Sequence, residues 1–325
     1  MEYGQIPYVK NKVSRIVFGL GSPMFWAGQD ASELLNAVCA AGINTFDTAR
    51  VYGASEQTFG KWMEEYHTRD KVVIVSKCGH PDLGTWEKRV DEKEMRRDLE
   101  ASLDALRTDH IDIYLLHRDD PEKAAGELVE VFNAMHAEGK IGAFGASNWT
   151  HQRIEEANEY AYKHNLIPFT VSSPNFSLAE RVKDALRDCI SITGPAQEPA
   201  RAWYRDRQMP VIAYACLAHG FLSGRIKSAQ ADKAGEILSA AAAGGYGCPA
   251  NFERLRRCEE LAAQKRCTVS QIALAWVLRQ ELNTFAVVSA SDIGRLRSNM
   301  DALSIDLSME ELLYLDLREE KQADL

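Results

Sequence analysis

A chain of 325 residues with 46% hydrophobic side chains holds enough apolar material for a full-sized core, which excludes a fibrous or disordered chain. Lys and Arg number 38 against 47 Asp and Glu, a net charge of −9, and no basic run gathers phosphates, so neither nucleic acid nor an anionic membrane is expected as a partner. No stretch reaches the roughly 18 apolar residues that span a bilayer, and the opening MEYGQIPYVK lacks the apolar centre of a signal peptide, so a cytoplasmic location is expected.

In chain order, short β-branched runs alternate with longer stretches of helical period, the rhythm of βα units. Strands are predicted at residues 15–20, 43–46, 72–76, 111–116, 143–145, 169–172, 211–214 and 285–288. After the first, Gly19-Leu20-Gly21 opens like a dinucleotide fingerprint, but Met24 stands where the third glycine belongs, so a tight turn is as good a reading as a phosphate cradle. Helical stripes lie at 31–41, 55–66, 124–138, 152–164, 252–266, 270–280 and 293–302, and Met95, Leu99, Leu103 and Leu106 put one more on a helix otherwise rich in charge. Ser55 and Ser270 are expected to cap the helices they begin. Residues 173–209 and 215–250 break the rhythm as long connections, of the kind that form lids or linkers. With no composition break, the pattern predicts one α/β domain over residues 1–325, a closed (β/α)8 barrel rather than an open doubly wound sheet. The seven cysteines show neither a CxxC pair nor zinc spacing, so reduced thiols and no metal site are expected.

In a parallel barrel the carboxyl ends of the strands share one mouth. Asp47 follows INTF, Lys77 follows VVIVS, His117 follows IDIYLL, and Tyr52 lies in the loop leaving the Asp47 strand. Singly, each has an ordinary reading as a helix cap, a snorkelling lysine or a packing histidine. Together they make coherent chemistry. An ammonium at Lys77 lowers the pKa of a neighbouring phenol, Asp47 keeps Lys77 charged and placed, and His117 donates to a carbonyl oxygen held against the Tyr52 hydroxyl. Such a set protonates an oxygen that becomes negative as hydride adds to a carbonyl, and hydride requires a nicotinamide or flavin.

These residues carry a resemblance. GINTFDTARVYGASEQTFG, SKCG, DHIDIYLLHRDDP and GKIGAFGASNW, in that order, resemble the motifs of the aldo-keto reductase family, and the likeness runs from about Ser14 to about Leu303. It implies a barrel that binds an extended nicotinamide dinucleotide, with Tyr52 as general acid, Lys77 and Asp47 as its partners and His117 orienting the carbonyl. It further implies that Ser147 and Asn148 hold the nicotinamide carboxamide, that Tyr214 stacks on the ring, and that Leu217, Gly220 and Ser223 belong to a lid over the pyrophosphate. Ser289, Ser291, Arg295 and Asn299 then match the segment gripping the adenosine end. An Arg295 pairing with a ribose phosphate favours NADP(H), with NAD(H) the other nucleotide the pattern admits. Gly21 and Ser173 complete the expected nucleotide contacts, although Ser173 replaces a common Gln, Phe176 a common Tyr and Ser289 a common Lys.

Trp26, Trp86 and Trp149 are candidates to line the pocket of a small carbonyl substrate, and Arg118, Asp119 and Asp120 after His117 suggest that it is polar. The leading reading is an NADP(H)-dependent reductase of aldehydes or ketones. Its alternatives are a Schiff-base aldolase using Lys77 and a nucleotide-holding regulatory subunit with little turnover. The sequence leaves the oligomeric state open.

Overall fold

In the computed structural model, which describes residues 1–183 and 187–318, the apolar runs pair in chain order into a closed parallel barrel. Its strands are β3 (Ile16–Gly19), β4 (Thr45–Asp47), β5 (Val73–Cys78), β6 (Ile111–Leu116), β7 (Ile141–Ser147), β8 (Val171–Ser173), β9 (Val211–Ala213) and β10 (Thr284–Val288). The circle closes where β10 pairs with β3, Ala286 opposite Ile16. Two short strands absent from the expectation, β1 (Tyr3–Gly4) and β2 (Val13–Ser14), form an antiparallel ribbon ahead of the barrel. The segment between them covers the amino end: a Cβ on Gly142, near the start of β7, would meet the Tyr8 carbonyl at 2.8 Å.

Alternation along the strands sorts the apolar residues into two cores. Val17, Val73, Val75, Ile113, Leu115, Ala143, Val171, Ile212 and Phe285 fill the barrel with Ile6, Val9 and Val13. Ile16, Phe18, Phe46, Ile74, Tyr114, Leu116, Phe144 and Ala286 point outward into the layer beneath the helices. Successive side chains face opposite ways, so a one-residue slip in any strand would exchange the two sets. The register is therefore held by both cores at once.

The helices follow the predicted stripes closely. Glu92–Leu106 buries Met95, Leu99, Leu103 and Leu106 and is capped by Asp91, which accepts from the Glu94 amide. Two expected caps are corrected. Ser55 lies inside its helix and turns its hydroxyl to the Leu20 carbonyl at 3.0 Å, while Thr268, not Ser270, caps Val269–Leu278 in a capping box with Gln271. The connections at 173–209 and 215–250 contain helices that the sequence pattern did not predict. The first contains the helix Glu198–Arg207, whose charged sequence buries Ala200, Arg201, Trp203 and Tyr204, and the second contains Ala240–Tyr246, capped by Ser239. Among the described residues, no helix is long and apolar enough to cross a membrane.

Candidate active site

Strand parity decides which side chains reach the mouth. Val73 and Val75 face the barrel interior, so Lys77 does too, and Ile113 and Leu115 do the same for His117. On this rule Thr45 leads to Asp47, Ala143 to Ser147, Ile212 to Tyr214 and Phe285 to Ser289, whereas Ser173, of the same parity as Val171, stays short of the cavity wall. Tyr52 arrives differently, on a turn after β4 where its amide donates to the Ala49 carbonyl at 3.0 Å. Its ring is held between two neighbours: Trp26 stacks on it with centroids 5.6 Å apart, and a Cβ on Gly21 would lie 3.3 Å from its Cε2. Gly21 thus makes room for the phenol.

Asp47, Lys77, Tyr52 and His117 all line one cavity of about 1210 Å³. Lys77 is 4% exposed, and its Nζ donates to Asp47 Oδ1 at 2.6 Å and to the Thr48 carbonyl at 2.7 Å. Burial is the largest single influence and pulls the ammonium down, but Asp47, through its charge and its hydrogen bond, and the Tyr52 phenol together hold Lys77 above the ordinary lysine range. The Lys77 ammonium lies 5.3 Å from the centroid of the Tyr52 ring. It pulls the phenol toward ionisation as expected, yet burial is the larger influence and leaves Tyr52 above its ordinary pKa. The expectation of a net lowering is corrected on that point. His117 is 5% exposed, its Nδ1 has no partner among the described residues, and its ring lies 5.8 Å from that of Tyr52. Burial first, then the charges of Arg118, Lys77 and His80, drive its pKa well below the usual histidine value. The imidazole is therefore neutral at physiological pH.

Beside this group, Ser147 and Asn148 are locked into the strand ends. Ser147 Oγ donates to the Ser173 carbonyl at 2.8 Å, and Asn148 Nδ2 donates to Ser147 Oγ at 3.0 Å and to the His117 carbonyl at 3.1 Å. The Tyr214 hydroxyl donates to Asn148 Oδ1 at 2.7 Å. Asn148 adopts φ 64°, a left-handed conformation that Asn tolerates better than most residues.

The cavity continues past Leu217, Gly220 and Ser223 to Ser289, Arg295 and Asn299. Along it Ala215, Ala218, His219 and Gly220 all take left-handed φ, a cluster of backbone strain of the kind that collects at ligand sites. Asn299 is buried, and no hydrogen bond engages its side chain among the described residues. Polar Ser147 and Asn148 next to the tetrad, the buried Asn299 amide and basic Arg225, Lys227 and Arg295 along one cavity fit an extended, anionic dinucleotide.

Four expected site residues lie outside the cavity wall. Ser173 is buried and contributes its carbonyl to the Ser147 bond, and Ser291 bonds its neighbour Asp292. Trp149 has no exposed surface and packs on Phe169 with centroids 5.5 Å apart, because the left-handed turn at Asn148 sends the chain back toward the helical layer. Trp86 packs edge-on against His80, which in turn lies 4.9 Å from His117, so it stands behind the site. Conversely, Cys189, His219, Arg225 and Lys227 line the cavity without having been singled out. Cys189 sits in a stretch without motif, and nothing in its sequence neighbourhood signals the mouth.

Comparison with known proteins accords with this geometry. The model of the aldo/keto reductase family matches residues 15–318. The uncharacterized oxidoreductase YrpG of Bacillus subtilis is 28% identical over 335 residues, covering 97% of this chain and 95% of that protein. The oxidoreductase YdhF of Escherichia coli is 26% identical over 92% of this chain and 91% of its own length. An aryl-alcohol dehydrogenase of Pestalotiopsis microspora is 27% identical over 88% of this chain and 71% of its own length.

Proposed function

The chain belongs to the aldo/keto reductase family and is an oxidoreductase, and from that premise we propose that it reduces an aldehyde or ketone to the alcohol with NADP(H), Tyr52 supplying the proton. The observation that carries this reading is the common placement of Asp47, Lys77, Tyr52 and His117 on one cavity. Its volume of about 1210 Å³ exceeds the roughly 300–1,000 Å³ of ordinary small-ligand pockets, which leaves room for nucleotide and substrate together.

Ser147 and Asn148 would hold a nicotinamide, which would supply the hydride that no side chain can. The chain's own residues manage the oxygen. His117, neutral because it is buried among cations, offers a ring N–H to the carbonyl and polarises it without surrendering a proton. Tyr52, kept protonated by burial, gives its proton to the oxygen as it becomes an alkoxide, a far stronger base than the phenolate left behind. Lys77, fixed by Asp47, then faces that phenolate with a positive charge. The same ion pair weakens the aldolase alternative, since a Schiff base needs a free amine and Asp47 holds Lys77 as the ammonium.

The test is the loss of NADPH absorbance with a panel of aldehydes and ketones, run beside Tyr52→Phe. Turnover is expected for the wild type and not for the variant. Undiminished turnover in Tyr52→Phe would remove the acid assignment, and tight nucleotide retention with no turnover across the panel would favour a regulatory subunit.

A further inference from the structure

Among the described residues, three arginines are less than a tenth exposed: Arg118 at 5%, Arg201 at 8% and Arg254 at 3%. Two have a carboxylate. Arg201 pairs with Glu198 at 2.6 Å, and Arg254 lies 3.7 Å from Asp316. Arg118 has none within salt-bridge distance among the described residues. Its one hydrogen bond runs from Nη1 to the His117 carbonyl at 2.9 Å, and its Nε meets neither acceptor nor solvent. The carboxylates beside it in sequence are engaged elsewhere: Asp119 lies 3.5 Å from Arg153, and Asp120 lies 3.9 Å from Lys88. A buried charge without a counter-ion is costly, and this one lines the catalytic cavity.

On the strength of the reductase reading above, we propose that the carbonyl substrate carries a carboxylate and that Arg118 is the residue that binds it. Arg118 follows His117 at the end of β6, on the wall where the carbonyl oxygen must lie, and its charge is felt at both Tyr52 and Tyr214. It stands apart from the basic residues suited to nucleotide phosphates, which come from the connection after β9 and the helix after β10. Among anions, the planar fork of a single guanidinium matches a carboxylate. A phosphate gathers several cations, and Lys77, which lines the same cavity, is already committed to Asp47. The substrate class is therefore an aldehyde or keto acid, with the carboxylate near enough to the carbonyl for both to share one wall.

The experiment compares kcat/KM for glyoxylate, pyruvate and succinic semialdehyde, each against its methyl ester, and for glycolaldehyde phosphate against glycolaldehyde. The wild type is expected to prefer at least one acid over its ester by roughly ten- to a hundredfold. Arg118→Met should collapse that ratio toward one, and Arg118→Lys should restore part of it. Arg118→Gln keeps a donor for the His117 carbonyl and guards against misfolding of the Met variant. Esters turned over as well as every acid would overturn the substrate class while leaving the reductase intact. A preference confined to the phosphate pair would overturn the carboxylate. Calorimetric titration of the same acids gives a readout independent of turnover: heat of binding seen with wild type and lost in Arg118→Met supports the site even if no carbonyl is reduced, and no binding overturns it.

Discussion

The cavity end beneath β4, β5 and β6 and the end beside β9 and β10 are built by different means. At the first, Asp47, Lys77 and His117 extend the inward row of their own strands, and each is nearly sealed from solvent. At the second, Leu217, Gly220 and Ser223 ride a connection with left-handed backbone, while Arg295 stands on a helix surface with 58% of its side chain exposed. Strand ends place a group to within the tolerance that chemistry needs, whereas a connection gives reach and adaptability. Substitutions at the first end should therefore cost chemistry or stability outright, and those at the second should alter affinity alone.

The largest effect is expected at Tyr52. Its hydroxyl makes no hydrogen bond to the protein among the described residues, and Trp26 and Gly21 grip only its ring, so Tyr52→Phe should fold and melt as the wild type does. Its kcat should fall by roughly a hundred- to ten-thousandfold, the range for a lost general acid. A fall of less than about tenfold would break the contrast between the two ends. Next comes Lys77→Met, which strands the buried Asp47 carboxylate. The loss should be about 3–5 kcal/mol in urea unfolding, and Asp47→Leu added to it should return most of the stability but none of the activity. A single Lys77→Met as stable as wild type would show that the pair is not sealed.

The same contrast explains what could be read in the sequence. The eight barrel strands and the placement of Asp47, Lys77 and His117 at one mouth were legible because runs ending in those residues state both the strand and its last inward residue. Trp149 was misread because one left-handed residue, Asn148, redirects the chain, and a sequence gives no sign of φ where Asn rather than Gly adopts it. Ser55 and Ser270 look like caps, yet the neighbour that competes for each hydroxyl or amide is set by tertiary contact: the Leu20 carbonyl for Ser55, and Thr268 for the helix Ser270 was to start. The helix Glu198–Arg207 has too few apolar residues to announce a stripe, and Cys189 lines the cavity from a long connection that carries no motif.

His117 sharpens the contrast through pH. Burial holds its folded pKa well below the ordinary histidine value of 6.5, whereas the unfolded chain restores that value. Between the two the unfolded state binds a proton that the folded state refuses, so stability must fall as pH drops below 6.5, by up to about 1.4 kcal/mol per pH unit from this group. Above 6.5 the contribution is flat. His117→Asn should reduce the slope of the urea midpoint against pH on the acid side only. An unchanged slope would mean that His117 is reached by solvent in the folded protein.

The smallest effect belongs to the far end. Arg295 Nε lies 3.5 Å from Asp292 Oδ2, an exposed pair on one helix that contributes little to folding, so Arg295→Ala should shift stability by less than about 0.5 kcal/mol. If it reads the ribose phosphate, a charge-assisted bond is lost with NADPH alone, and affinity for NADPH should weaken about tenfold while that for NADH stays as it was. Fluorescence titration with both nucleotides decides this. Arg225→Ala is the control, because Arg225 also lines the cavity on that side. Should it show the larger NADPH loss, the phosphate sits against the connection after β9 instead. A loss shared equally by both nucleotides would mean that neither residue reads the ribose phosphate.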